Sequence, residues 1–243
     1  MSKIFVLAII ISAIILSIFG VSSFFFNQPQ KTSSKVIKQQ VKNNIQKQHK
    51  INLKKQQFIS TLVPIIQAVY KEFYSQYINI KHILKLNKTD SHIEALKKFY
   101  KTKTDDELLA ALKPHPVSIT LAQCAMESAW LTSRFAKEAN NIFGVWSFNK
   151  NEPRIAASGL RGEKIIYLKK YNNYYESIKD YYKTIGKSWA FKEFRKHRLL
   201  TDDPFKLLPY LHKYSEQKDE YPKTLKKVII KNNFTQYDIK ENN

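Results

Sequence analysis

The feature that most constrains this 243-residue chain is an uncharged, largely apolar stretch at residues 4–26. As a helix rising about 1.5 Å per residue it would be roughly 35 Å long, enough to cross the hydrocarbon core of a bilayer. A cleaved signal peptide is the competing interpretation, because small residues occupy positions 20–23 and Lys3 supplies a short positive start. The apolar run continues through Phe26 without an A-x-A cleavage site, so the sequence favours an uncleaved anchor.

The chain is strongly basic, with 41 Lys and Arg against 20 Asp and Glu and a formal net charge of +21. This excess predicts a polyanionic neighbour, either nucleic acid, anionic lipid or an anionic cell-surface polymer. No nucleic-acid motif occurs among the basic residues, and the membrane segment also argues against nucleic acid. The single cysteine, Cys124, excludes an intramolecular disulfide, and the histidines show no ligand-like spacing, so neither a metal nor a cofactor is predicted.

The composition divides the chain into four segments. They are a signal anchor or signal peptide (1–26), a basic linker that is disordered or partly helical (27–55), a helical lead-in (56–113) and a main domain (114–243).

Two local patterns place helices in the lead-in. From Phe58 onward, apolar residues recur at spacings of three and four, which predicts a helix. Thr104 and Glu107 have the spacing of a capping box and would open a short helix that ends before Pro114.

Glu127 lies about three turns into the next predicted helix, which begins near Ser118. One face of this helix is small and apolar, with Leu121, Cys124 and Ala125, so we expect close packing on several sides. A carboxylate among such neighbours is costly when ionised, and desolvation would raise its pKa toward the value that a general acid needs near neutrality. An ordinary glutamate on a helix surface is the alternative, and it is the commoner situation in proteins.

A turn and a hairpin are predicted after this helix. Residues 140–144 contain two Asn and a Gly, which tolerate left-handed backbone conformations and indicate a tight turn. Residues 154–171 carry turn signals beside mixed Ile, Tyr and Leu, as expected for a small β-hairpin. Further helices are predicted over residues 175–189, 191–200, 205–214 and 221–231.

The segments LAQ (121–123), ESAW (127–130), TSRFA (132–136) and NNIFG (140–144) together resemble the Bax-type bacterial glucosaminidases. These are relatives of glycoside hydrolase family 73 and cleave peptidoglycan. The resemblance covers residues 108–236. It implies a lysozyme-like fold, mainly helical (α+β) with a small β-hairpin lobe across a groove, preceded here by the N-terminal transmembrane helix. The family usually has Gly on both sides of the Trp, where this chain has Ala129 and Leu131.

The resemblance also implies catalytic roles. Glu127 matches the family's catalytic glutamate and would be the general acid. Glycoside cleavage needs a second catalytic group besides the acid. Glu163 in the hairpin could activate a water molecule in this role, and Glu152 is the alternative carboxylate. Attack by the 2-acetamido group of the substrate is a third possibility that needs no second carboxylate. Tyr214 matches the family's groove tyrosine and would orient that group, although a packed aromatic is an equal alternative.

Aromatic faces and amide groups would bind the sugar rings. Trp130, Phe143 and Trp146 could supply the faces, with core packing the favoured alternative for Phe143. Asn141 is expected to shape the turn and to line the groove.

The leading hypothesis is therefore a peptidoglycan hydrolase, an endo-β-N-acetylglucosaminidase of the bacterial cell envelope. It would be anchored in the inner membrane facing the periplasm, or periplasmic if the signal is cleaved. Anionic envelope polymers or lipids would be additional partners. Two alternatives are a lytic transglycosylase, whose usual Gly-Leu-Met-Gln-type segment is absent here, and a non-catalytic, membrane-tethered wall-binding protein.

Overall fold

The computed structural model describes residues 34–88, 90–161 and 164–240, which form helices and one two-stranded antiparallel sheet. This confirms the predicted mainly helical chain with a small hairpin. The predicted anchor or signal at residues 1–26 and the predicted catalytic residue Glu163 lie outside the described residues. The helices are α1 (Ser34–Lys85), α2 (Ser91–Tyr100), α3 (Asp105–Leu112), α4 (Val117–Glu127), α5 (Arg134–Ala139), α6 (Tyr174–Lys187), α7 (Lys192–Arg198), α8 (Pro204–Leu207) and α9 (Glu220–Lys231).

Helix α1 joins two segments that the sequence analysis separated. Residues 34–55, predicted as a linker, continue without a break into the lead-in helix. Residues 37–54 are exposed, whereas one face of the helix is buried from Phe58 onward. Pro64 lacks a backbone N–H but does not end the helix, because apolar residues on both sides of it pack into the core. In the described part of the chain, no helix is long and apolar enough to span a membrane.

Helix α4 lies at the centre of the core. Every residue from Val117 to Ala125 is buried, as its small side chains predicted. Helices α1 and α9 and a 3-10 turn at Phe234–Tyr237 pack directly against it. Any residue at its C-terminal end therefore lies beside the core.

The N-terminus of α4 is capped from a distant part of the chain. Pro116 precedes the helix and offers no side-chain cap. The carboxylate of Asp238 accepts hydrogen bonds from the backbone N–H of Ser118 at 2.6 Å and from its hydroxyl at 2.8 Å. This negative group satisfies donors at the positive end of the helix and ties the end of the described chain to α4.

The hairpin consists of β1 (Arg154–Arg161) and β2 (Lys164–Lys169). Arg154 pairs with Lys169, and the register shifts between Ala156 and Leu160. A bridge between Trp146 and Leu168 extends the pairing toward the preceding turn. The hairpin predicted over residues 154–171 is confirmed.

The predicted helix start at Thr104 is also confirmed, because the Glu107 N–H donates to the Thr104 hydroxyl at 3.2 Å and the Glu107 carboxylate reaches back to accept from the Lys103 N–H at 2.9 Å. One predicted helix is shorter than expected. The pattern over residues 205–214 predicted a single helix, but α8 ends at Leu207 and a 3-10 turn covers Leu208–Leu211. Pro209 explains the change, since it has no N–H to donate to a preceding turn of α-helix.

Candidate active site

Glu127 is the last residue of α4, and the protein covers most of its side chain. Burial raises the pKa of Glu127 to about 7, and the hydrogen bond from the Tyr221 hydroxyl, 2.8 Å from Oε1, opposes that rise. At neutral pH the carboxyl group is therefore a mixture of protonated and ionised forms. Such a group can deliver a proton near neutrality.

Two stacked tyrosines lie beside Glu127. Tyr221, on α9, contacts it directly, and Tyr214 stacks on Tyr221 with ring centroids 5.3 Å apart and planes 14° apart. Burial first, and then the charge of Glu127, raises the pKa of both tyrosines, so both hydroxyl groups keep their protons. The family resemblance implied a role for Tyr214 and none for Tyr221. The structure gives the direct contact to Tyr221, and the groove role of Tyr214 stays a proposal.

The backbone immediately after Glu127 is left-handed at three successive non-glycine residues. Ala129, Trp130 and Leu131 have φ values of 50°, 61° and 61°. Ser128 supports this turn, because its hydroxyl accepts from the Leu131 N–H at 2.8 Å and donates to the Cys124 carbonyl at 2.6 Å. A left-handed residue with a Cβ costs roughly 1–2 kcal/mol. The glycines that the family usually has on both sides of the Trp would occupy this turn without that cost.

We predict that Ala129→Gly stabilises the protein by about 0.5–1 kcal/mol, because Ala129 is exposed and only its Cβ conflicts with the backbone. The matched control is Ala95→Gly, which changes an exposed alanine inside α2 and should destabilise by about 0.5–1 kcal/mol. Urea unfolding of both variants measures the difference. Two changes of the same sign would contradict the strain at Ala129.

Trp130 is held mainly by other parts of the chain. Its half-buried ring packs edge-on against Phe58 of α1 at 5.0 Å and lies 6.2 Å from the ring of Phe234. The Lys55 ammonium lies 5.0 Å from the ring centroid and also donates to the Asn232 side chain at 2.9 Å. The middle of the long helix α1 therefore supports the turn that follows Glu127.

A family model described as glucosaminidase, mannosyl-glycoprotein endo-β-N-acetylglucosaminidase, matches residues 103–234, more than half of the chain. The matched range contains Glu127, Tyr214, Tyr221 and the hairpin. The chain belongs to the glucosaminidase family. Helices α1 and α2 precede the matched glucosaminidase region, although α1 contributes part of its core.

The individual relatives match either a short part of the chain or a longer part at low sequence identity. Exo-glucosaminidase LytG of Bacillus subtilis is 34% identical over 85 residues, which cover 32% of this chain and 30% of that protein. The chain thus spans less than a third of the length of this curated relative. The catalytic domain of the autolysin Auto from Listeria monocytogenes is 19% identical, with 72% of this chain and 88% of that chain covered and a TM-score of 0.42. A peptidoglycan hydrolase from Sphingomonas sp. A1 is 20% identical, with 58% and 92% covered and a TM-score of 0.42.

In this member of the glucosaminidase family, two of the predicted sugar-binding residues are buried. Phe143 stacks on Tyr181 with ring centroids 4.2 Å apart, which is the core packing that the sequence left open. The Asn141 amide donates to the carbonyls of Val145 and Lys169 at 3.0 and 2.8 Å, and its oxygen accepts from the Val145 N–H. Both side chains serve the turn and the core in this structure. Trp146 is half-buried beside the exposed Phe148, with ring centroids 6.0 Å apart.

A second carboxylate is not seen to act on Glu127 among the described residues, since burial and Tyr221 are the causes of its pKa shift. Glu152 accepts a hydrogen bond from the Ser147 hydroxyl at 2.7 Å. It lines a cavity of about 290 Å³ together with Lys169 at the end of β2, Tyr171 in the following loop and residues of α6. No group of three metal-ligating side chains occurs within residues 34–88, 90–161 and 164–240.

Proposed function

We propose that this glucosaminidase-family protein is a peptidoglycan hydrolase that cleaves the glycan strand as an endo-β-N-acetylglucosaminidase, with Glu127 as the general acid. The observation that carries the proposal is the position of Glu127 at the end of a buried helix, with a pKa raised to about 7. The buried helix ending in an acid, with a hairpin further along the chain, also supports the predicted lysozyme-like arrangement.

In the proposed mechanism, Glu127 donates its proton to the oxygen of the glycosidic bond as that bond breaks. The carboxylate that remains accepts the Tyr221 hydrogen bond, which stabilises the new negative charge. The sugar then carries an oxocarbenium-like centre that a second group must trap.

The 2-acetamido group of the substrate is the trapping group that we favour. Its support is that no carboxylate of the described residues is among the causes of the pKa shift of Glu127. Water activation by Glu152 or Glu163 is the alternative, and Glu163 lies outside the described residues. Tyr214, stacked on Tyr221, would help to orient the acetamido group.

The proposed partners are peptidoglycan strands and the anionic surfaces around them in the bacterial envelope. Residues 37–55 contain six lysines and no acidic residue, and residues 37–54 are exposed. This part of α1 would attract anionic polymers or lipid headgroups. For the location, residues 4–26 would either anchor the chain in the inner membrane facing the periplasm or be cleaved as a signal and leave the protein periplasmic.

Product analysis tests the proposed reaction against its alternatives. Purified sacculi digested with the full chain should yield fragments with reducing N-acetylglucosamine ends in mass spectrometry. Anhydro-muramyl ends would instead identify a lytic transglycosylase. Release of single terminal sugars would indicate exo action, as the name of the Bacillus relative states for that protein. Intact sacculi would favour the non-catalytic wall-binding protein.

A further inference from the structure

A line of buried hydrogen bonds leads from Glu127 into the core. Tyr221 donates to Glu127 and accepts a hydrogen bond from the side-chain Nε2 of Gln123 at 3.1 Å. Oε1 of Gln123 accepts from the Tyr181 hydroxyl. The Tyr181 oxygen in turn lies 2.9 Å from Nε2 of His115. The three residues behind Tyr221 are buried, and none was predicted as a site residue from the sequence.

All four hydrogen bonds point toward Glu127. Tyr181 has one hydroxyl proton and uses it on Gln123, so the proton between Tyr181 and His115 belongs to Nε2 of His115, which also lies 3.0 Å from the Thr120 hydroxyl. Burial, with the charge of Arg198 adding to it, lowers the pKa of His115 well below its usual value. The ring is therefore neutral and carries a single proton. Nδ1 of His115 has no hydrogen-bond partner among the described residues, which agrees with the proton residing on Nε2.

We propose that Gln123, Tyr181 and His115 are positioning residues that act through Tyr221 to stabilise the ionised form of Glu127, and so set the pH range in which it works as an acid. The catalytic consequence rests on the function proposed above. Aligned hydrogen bonds polarise one another, so each donor behind Tyr221 makes its hydroxyl a stronger donor. This hydrogen bond stabilises the Glu127 carboxylate once its proton has left.

The other titratable groups that feel the charge of Glu127 do not titrate with it. They are Tyr221 of α9, Tyr214 from the segment before α9, and Cys124 one turn earlier on α4. Burial raises the pKa of each of them above its ordinary value, so all three are uncharged near neutrality. The hydrogen bonds that run from His115 through Tyr221 to Glu127 are therefore the polar interactions that oppose the rise that burial causes in the pKa of Glu127.

Two adjacent tyrosines provide the test. Tyr181 and Tyr182 are equally buried, and each loses one hydrogen-bonded hydroxyl when changed to Phe. Tyr182 contacts the His115 carbonyl and the hydroxyl of Thr120, which itself lies 3.0 Å from Nε2 of His115. The Tyr182→Phe change therefore removes none of the four hydrogen bonds between His115 and Glu127 and alters only this side contact through Thr120. We expect Tyr181→Phe to raise the pKa of Glu127 by about 0.2–0.5, and Tyr182→Phe to leave it within about 0.1 of the wild-type value.

The pKa of Glu127 is measured on the full chain by NMR titration of ¹³C-labelled glutamate carboxyl groups, with Glu127→Gln identifying the signal. The basic limb of the kcat/KM profile on peptidoglycan should move upward by the same amount, because the protonated form of Glu127 is the active one. If Tyr181→Phe does not fold, Gln123→Met interrupts the same line at the next residue and should produce a larger rise.

The NMR titration and the activity assay test the inference and the proposed function independently. Equal pKa values of Glu127 in the Tyr181→Phe and Tyr182→Phe variants, or a fall in Tyr181→Phe, would overturn the inference whether or not the wild type is active. A wild type without glycosidase activity would overturn the proposed function, while the titration would still test the hydrogen-bonded line.

Discussion

Glu127→Gln is expected to lower kcat/KM for glycan-strand cleavage by about 10²- to 10⁴-fold, which is the usual contribution of a general acid. Gln has the shape of Glu, and its side-chain oxygen can still accept the hydrogen bond from Tyr221, so the geometry of the site should persist. The variant lacks only the proton that must reach the glycosidic oxygen. Release of reducing ends from purified sacculi, compared between the two proteins, measures the loss.

The control for this experiment is Glu193→Gln, which removes an exposed carboxylate on α7 that pairs with Lys196 at 3.0 Å. Its activity should match the wild type, because surface ion pairs contribute little. If Glu127→Gln releases reducing ends as fast as the wild type, Glu127 is not the general acid.

The same substitution is expected to stabilise the protein at alkaline pH. The pKa of Glu127 is about 7 in the folded protein, against an ordinary value of 4.5. Between these two values the folded state holds a proton that the unfolded chain has lost, so the free energy of unfolding falls as pH rises. Over the whole interval this amounts to about 3 kcal/mol, at about 1.4 kcal/mol for each pKa unit. Gln is neutral throughout and avoids this loss.

Urea unfolding at about pH 4 and about pH 8.5 measures the effect as a difference between the two proteins. Any constant effect of the amide cancels when the two pH values are compared. Glu127→Gln should gain up to about 3 kcal/mol relative to the wild type on going to the higher pH. No relative gain would show that the folded protein does not raise the pKa of Glu127.

Loss of activity together with gain in stability would follow from one physical cause. A carboxyl group that is buried to keep its proton near neutrality destabilises the fold wherever that proton is absent. Burial of Glu127 thus links the proposed chemistry to the stability of the domain. Tyr221 limits the cost because its hydroxyl donates to the ionised group.

Local sequence patterns predicted the elements that neighbouring residues determine. The small face of α4, the capping box at Thr104 and the hairpin all depend on side chains within a few positions of one another. Such patterns also placed Glu127 among apolar neighbours and indicated a raised pKa. The long α1 was missed as one helix because residues 34–55 have little apolar periodicity, so the pattern there did not separate an exposed helix from a linker.

Side-chain roles that depend on distant contacts were harder to predict. Trp130 and Phe143 are aromatic residues of the kind expected on a sugar-binding surface. The structure packs Trp130 against Phe58 and Phe143 against Tyr181, from segments that spacing along the chain cannot bring together. The left-handed turn at Ala129 was signalled only by the family's glycines, since the residues in this chain do not favour that conformation.

The sequence by itself determined the helical class, the hairpin and the apolar neighbours of Glu127 along its helix, because helix and strand periodicity and turn chemistry are local. Tertiary structure decided which groups surround the Glu127 carboxyl group. Tyr221 follows Glu127 by 94 residues, and it reaches the carboxyl group because α9 packs against α4. The line through Gln123 and Tyr181 to His115 exists for the same reason. A hydrogen bond needs atoms within about 3 Å, and only the packing of helices distant in sequence sets such distances.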